Sequence, residues 1–550
     1  MQLIDQHTKS IMEGCKGRAR DAGLRFGDET LEYIVTNRDL LELSPKMMIP
    51  TLYDYWVHEV EVLKEKGRYE LYPGNPFETV INTRPAISFY NDNNPDWLNV
   101  MIFYHVLAHI DFFQNNIFFS HTWDYDLTGQ ALSDKRLIAR LRSEKGRWLD
   151  YVIEFARSID NLVGYFEEMG RADRPRETTR GSRLDFYFDV FLQGAKRFRT
   201  SEYIAEIERY NDCMRRYGSL GEQNFFADVV RKYPEFEASY GKNRQKPEGR
   251  RLDLLEYLME RSDFLNREEN RWIKSVLQIV RKTSLYFQPQ IRTKIMNEGW
   301  ASYWHEKLFL EDKRINGHEV DFARVHAQVT SLPRVGLNPY ALGMRLFSYI
   351  EDASGKGKLS SGFRRIRNSD LREKFDARTG EGKKTIFEVR RNHSDFTFIN
   401  SFIDQDFVNR HQLFVAGKRM DRTRMVWEYI VESRKAEAYK AMLLNTLYHP
   451  PHIEIDPQRS GSGLLFLTHH FEGKPLVREY IENTMMGIEF LWGGTVMLET
   501  SEVAAVEPPG KLSAPPPASA EAEERGPRVA WRRVLYTMQN RKLSKAGVEK

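Results

Sequence analysis

Two short stretches, far apart in the chain, carry residue types that could hold a metal ion. In YHVLAHIDFFQNN, His105 and His109 stand four residues apart. On a helix, i and i+4 share a face, so both imidazoles would project toward one point. The second stretch, NEGWASYWHE (residues 297–306), places Glu298, Ser302 and His305 at i, i+4 and i+7, again on one helical face. Two imidazoles and a carboxylate make a plausible donor set for a divalent ion, zinc first, with iron, manganese and nickel also compatible.

The pairing resembles a large group of zinc peptidases. There an HExxH helix supplies two histidines, and a glutamate on a later helix, often within an Asn-Glu-Gly-aromatic-Ala string, supplies the third ligand. NEGWA fits, with Glu298 in the ligand position. In such folds the edge strand before the first helix lines the substrate cleft, which would give residues 85–90 that role. The comparison fails at the catalytic step: the HExxH glutamate that takes a proton from water is replaced by Val106. The candidate bases are His305, Glu306 and Asp111. His305 leads, because it shares the Glu298 face and an imidazole titrates near neutral pH. As a fourth protein ligand, His305 would instead close the shell and make the metal structural. Asp111, Asn297 and Tyr303 are candidates to support the ligands or line the cleft. The same residues also fit a plainer reading, a packed polar seam in which the histidines bond backbone carbonyls and Glu298 is salt-bridged. Adjacent His469 and His470, at a strand end, point to opposite faces and are not expected to share a metal.

These side chains need scaffolding. FETVIN and AISFY read as two short strands, and residues 97–120 as one long apolar helix. Amphipathic helices dominate from about 133 to 290. Pro289 is expected to end one of them, with the NEGWA helix starting just beyond. GLNPYALG reads as a turn followed by a helix start. From residue 384 the pattern changes to strands (TIFEVR, QLFVAG, RMVWEYIV, HIEID, LLFLTHH, TVMLET) alternating with helices, the pattern of a small α/β domain. The expected class is α+β: a mainly helical domain with a small zincin-like strand pair over 1–330, a connecting segment 331–383, an α/β domain 384–502, and a Pro/Ala/Glu-rich disordered tail 503–550 with a short basic helix.

The 550 residues carry 82 basic and 78 acidic side chains, a net charge of +4 that gives no support for a general nucleic-acid binder. Two isolated cysteines, Cys15 and Cys213, argue against a disulfide framework or a Cys-type zinc site. MQLIDQHTKS lacks a basic region followed by an apolar run, and no apolar stretch reaches about 18 residues. Neither a secretory signal nor a membrane span is expected, and the cytoplasm is the expected address.

Over residues 40–500 the chain resembles the SpoVR family, the stage V sporulation protein R-like proteins. The resemblance rests on FETVIN…RPAISFY, HVLAHIDFFQNN, QPQIRTKIMNEGWASYWHEKL, GLNPYALG, HSDFTFINSFI, PHIEI and LLFLTHHFEGKPL…LWGGTVMLET. It implies a link to spore cortex formation or stress response. By gene neighbourhood it also implies a serine protein kinase and a von Willebrand A-type protein as partners. It supplies no reaction. Three readings remain open: a metal-dependent peptide or amide hydrolase, a non-catalytic regulatory or scaffold protein, and a metal-free polar core.

Overall fold

The structure is a computed structural model that describes residues 2–27, 29–36, 78–123, 127–164, 183–195, 200–245, 252–421, 426–507 and 528–548. The fold is α+β, mainly helical with small sheets. The chain forms two compact units, one from Met1–Tyr165 with Asp253–Lys550, the other Phe166–Leu252. The smaller unit gathers a π-helix (Phe186–Ala195) and three α-helices (Thr200–Tyr217, Gly221–Lys232, Phe236–Gln245) around an aromatic core that includes Tyr187, Phe191, Phe225 and Phe236.

The larger unit begins with strands β1 (Gln2–Leu3) and β2 (Thr30–Val35), separated by helix α1 (Gln6–Asp21). Strands β3 (Glu78–Ile81) and β4 (Ala86–Asn91) form the antiparallel pair expected from FETVIN and AISFY. The sheet order is β1-β2-β4-β3, with β2 parallel to β4. Residues 86–91 therefore form an inner strand rather than the cleft-lining edge expected from the peptidase comparison.

Helix α2 (Asp96–Asn115) is apolar all round and buried over nearly its whole length, as a central helix must be. It stops at Asn116, short of the expected residue 120. The Asn116 backbone is extended, its Oδ1 accepts from the Phe118 N–H, and its Nδ2 donates to the carbonyls of Arg390 and His393.

Helix α3 (Arg271–Arg292) runs through Pro289, against expectation. A proline deprives the carbonyl four residues earlier of its partner. Here that carbonyl, Leu285, is met by His121 Nε2 at 2.9 Å, so the helix continues at little cost. Next come α4 (Lys294–Glu311), α5 (Glu319–Thr330), α6 (Pro339–Gly355), α7 (Gly382–Asn392) and α8 (Asp395–Phe402). Asn338 caps α6 and Pro339 occupies its first turn, so GLNPYALG is the turn-to-helix entry its sequence suggests. TIFEVR, expected as a strand, lies inside α7. Ile386, Val389 and Arg390 are its buried residues, a three-to-four spacing that outweighs the β-type composition.

Strands β5 (Val415–Asp421) and β6 (Val426–Ser433) form a separate antiparallel pair. The last sheet contains β7 (Ile453–Ile455), β8 (Leu464–His469), β9 (Thr495–Glu507), β10 (Arg528–Gln539) and β11 (Lys542–Gly547), in the order β11-β10-β9-β8-β7. Helix α9 (Arg478–Trp492) makes the crossover between parallel β8 and β9. The expected terminal basic helix is instead this β10–β11 hairpin. Val534, Tyr536 and Met538 are buried at the period of two that marks a strand. The Pro/Ala-rich residues 508–527 lie outside the described residues.

Among the described residues of the larger unit, the two largest apolar cores both cross the expected boundary at 384. Residues of α7, α8 and the segment up to Leu443 join α2, α4 and α6 in one core. Strands β8, β9 and β10 join α3 and the helix Arg147–Arg157 in the other. Each segment goes to the core its apolar face can fill, wherever it lies in the sequence. The 331–383 stretch, expected as a connector, supplies α6, one of the helices packed most closely against α4.

Candidate metal centre

The candidate ligands come from α2 and α4, and the position of α4 is fixed from three sides. Its first turn is held by Asp395 of α8, whose two oxygens accept from the N–H groups of Ile295 and Met296 at 2.8 and 2.9 Å. That carboxyl is fully buried. Burial pushes its pKa up to about 7, against the lowering effect of the two backbone bonds. Its middle meets α6 backbone to backbone: a Cβ on Gly299 would come within 2.3 Å of Gly343, and one on Gly343 within 2.1 Å of the Ile295 carbonyl. The glycine of NEGWA and the last glycine of GLNPYALG are thus two halves of one contact. Its C-terminal end is tied to α2 by Tyr104, whose hydroxyl donates to Asp312 Oδ2 at 2.8 Å. Burial pulls the Asp312 carboxyl up, but hydrogen bonds from Arg314 and Tyr104 more than offset this, leaving it at about 2.

This packing brings His105, His109 and Glu298 together. One ligand atom from each lies within 4.8 Å of the others. His109 Nε2 is 3.6 Å from Glu298 Oε2, and its Nδ1 is 2.9 Å from Asn297 Oδ1. A neutral His109 that donates from Nδ1 to Asn297 would present the lone pair of Nε2 to an ion, which is the usual arrangement for a metal-bound imidazole. The His105 and His109 rings are edge to face, with centroids 4.6 Å apart. Burial, then the neighbouring His109 and His305, holds the His105 imidazole well below its ordinary range. Neutral imidazole is the ligating form. Both histidine side chains are buried, while Glu298 keeps 18% of its side chain exposed and so faces the approach from solvent. Ser302 Oγ, on the same face of α4 and fully buried, has no hydrogen-bond partner among the described residues. Two imidazoles, a carboxylate and a buried hydroxyl on the same face of α4 are a donor set that fits a divalent ion.

His305 is not one of the three. Its Nδ1 lies 2.9 Å from His105 Nδ1, and its Nε2 lies 2.9 Å from Nδ1 of His326 on α5. His326 Nε2 in turn stands 3.5 Å from Glu306 Oε1. The result is a file of three imidazoles leading from the ligand cluster to a carboxylate whose side chain is 41% exposed. Burial, then His326 and His109, keeps His305 well below its ordinary range, while burial pushes the Glu306 carboxyl up.

Two of the residues singled out in the sequence lie elsewhere. Asp111, two positions from His109, points away from it. It accepts from the Arg25 N–H at 2.7 Å and from Trp300 Nε1 at 2.9 Å, and it pairs with Arg390 at 3.3 Å. It is a buried clamp between α2, α4 and α7, with no access to the ligand cluster. Tyr303 donates to Glu351 at 2.5 Å and accepts from Lys307 at 2.8 Å. It belongs to an ion-pair cluster between α4 and α6. Both residues sit off the ligand face for the same reason: i+2 from His109 and i+5 from Glu298 fall on other sides of their helices. Conversely, two neighbours carry no local sequence signal. His326 lies on a separate helix, and the Tyr340 ring stacks against His105 with centroids 6.2 Å apart.

The comparisons with known proteins follow the same segments. The family model described as SpoVR like protein matches residues 3–449. The chain belongs to the SpoVR family. The SpoVR match takes in the ligand cluster, the imidazole file and the Gly299–Gly343 contact. A relative, the Escherichia coli (strain K12) protein named "Uncharacterized protein YcgB", is 24% identical over 492 residues, covering 85% of this chain and 86% of the relative. No solved structure matches. Among the described residues no helix is long and apolar enough to cross a membrane.

Proposed function

We propose that this SpoVR-family chain holds a divalent metal, zinc by preference, on His105, His109 and Glu298, and uses it to hydrolyse a peptide or amide bond. The observation that carries the reading is the convergence of three donors from α2 and α4 within 4.8 Å. Three protein ligands are the number found in catalytic zinc sites, whereas structural sites are typically closed by four. When bound there, such an ion polarises a carbonyl and eases the ionisation of water. The rest of the work falls to the chain. Asn297 fixes the tautomer of His109. If His105 ligates through Nε2, its Nδ1 carries the proton and donates to His305, His305 donates from Nε2 to His326, and His326 donates toward Glu306. One tautomer assignment satisfies the whole file. With Nε2 on the ion, His105 has no lone pair left to accept a proton, so the work of the file is to fix the His105 tautomer and ring orientation through His305 and His326 out to Glu306.

A second reading is favoured by Val106 itself, fully buried where a base would stand. In it the metal is structural and the protein is a regulatory or scaffold component of a cytoplasmic, kinase-linked module in sporulation or stress response, with a von Willebrand A-type partner. A quenched-fluorescent peptide library separates the two. Zinc-dependent cleavage by the wild type, lost in Glu298→Ala with unchanged circular dichroism, supports hydrolysis. Metal binding without cleavage of any member supports the second reading.

A further inference from the structure

A second cluster of metal-binding side chains stands on the last sheet, past residue 449 where the family match ends. It grows from strand register. Ile453 of β7 pairs with His469 of β8, and the His470 N–H donates to the His452 carbonyl at 2.8 Å, extending the ladder by one step. His452 and His470 are therefore cross-strand neighbours. Glu454, two positions from His452, lies on the same face. His469 faces the other way, buried, with its Nδ1 2.8 Å from Thr500 Oγ1. The alternation expected for the His469–His470 pair holds, but His470 finds partners across the sheet rather than along the strand.

The two histidines converge on one carboxylate. His452 Nε2 lies 3.0 Å from Glu454 Oε1, and His470 Nε2 lies 3.0 Å from Glu454 Oε2. The rings are 4.6 Å apart between centroids, and a ligand atom from each residue lies within 4.8 Å of the others. Each ring can give an Nε2–H to one carboxylate oxygen, or turn the lone pair of that nitrogen to an ion shared with the glutamate. Donors around a tetrahedral zinc, each at roughly 2.1 Å, stand about 3.4 Å apart, close to the 3.0 Å that separates each histidine nitrogen from the Glu454 carboxylate. The Glu454 and His470 side chains are 38% and 46% exposed, which leaves room for entry from solvent and for water in the remaining position.

We propose that His452, Glu454 and His470 form a second metal site, selective for imidazole-preferring divalent ions such as zinc over magnesium or calcium. It staples β7, a three-residue edge strand, to β8. The site shares no residue with the first cluster and does not depend on it.

The test is calorimetric titration of the full chain with zinc chloride in a Glu298→Ala background. The expected result is one zinc bound per chain, with a rise in melting temperature. Both should be lost on adding His470→Ala or, as a gentler change, Glu454→Gln. No zinc binding in the Glu298→Ala chain, or binding unchanged by both additional substitutions, would overturn the proposal. Wild type and Glu298→Ala binding the same single equivalent would instead sink the first site and leave this one standing.

Discussion

The sides of α2 and α4 that face each other decide which residues form the candidate centre. The His105–His109 pair was legible from spacing, because i, i+4 on one helix is a local pattern, and Glu298 from the resemblance of NEGWA to a peptidase ligand string. Asn297 beside Glu298 followed from the same string. His326 was not legible: its relation to His305 exists only once α5 packs on α4. Asp111 misled because proximity in sequence to His109 is not proximity in space on a helix. Two substitutions separate these cases. Asn297→Ala frees the His109 ring and should lower metal affinity by about 10- to 100-fold, read by competition with a chromogenic chelator, with little change in melting temperature. Asp111→Ala strands Arg390 in the core and should cost about 3–5 kcal/mol in denaturant unfolding. In chains that remain folded, metal affinity should change little.

At the scale of elements, α4 is set by close approach to α6 and by its ties to α2 and α8. Gly299 and Gly343 read as motif glycines, but their reason, a helix–helix contact too close for any Cβ, was invisible without the partner helix. Gly299→Ala should destabilise the chain by about 1–3 kcal/mol or more, because backbone and not a flexible side chain must yield. It should also weaken metal binding by displacing Glu298. Pro289 was misread for a similar reason, since the donor that rescues its orphaned carbonyl comes from His121, distant in sequence. The tie between α2 and α4 has a pH signature. The Asp312 carboxyl is held at about 2, below its unfolded value. Its contribution is therefore present in full above about pH 4 and is lost as pH falls through about 2. Tyr104→Phe should make that acid limb shallower in a melting-temperature profile, and an unchanged limb would mean the tie carries no weight.

For the whole molecule, strand and helix types were mostly legible from periodicity, while the allocation of segments to cores was not. Composition placed a boundary at 384 and a disordered tail after 502. The cores instead divide residues 384–447 from 453–548, because apolar faces fill whichever core they reach. Deleting residues 508–550 removes β10 and β11, leaves the edge of β9 unpaired and takes Val534, Tyr536 and Met538 out of the core. The account predicts a clear fall in melting temperature, whereas a dispensable tail would leave it unchanged. The central claim remains the ion held between α2 and α4. Its most direct test is metal content by plasma mass spectrometry on the zinc-loaded wild type beside His109→Ala and Glu298→Ala. The account predicts that each variant carries one equivalent fewer than the wild type with its circular dichroism intact. Equal metal content in all three would contradict it and leave the convergence of His105, His109 and Glu298 as a polar seam in the core.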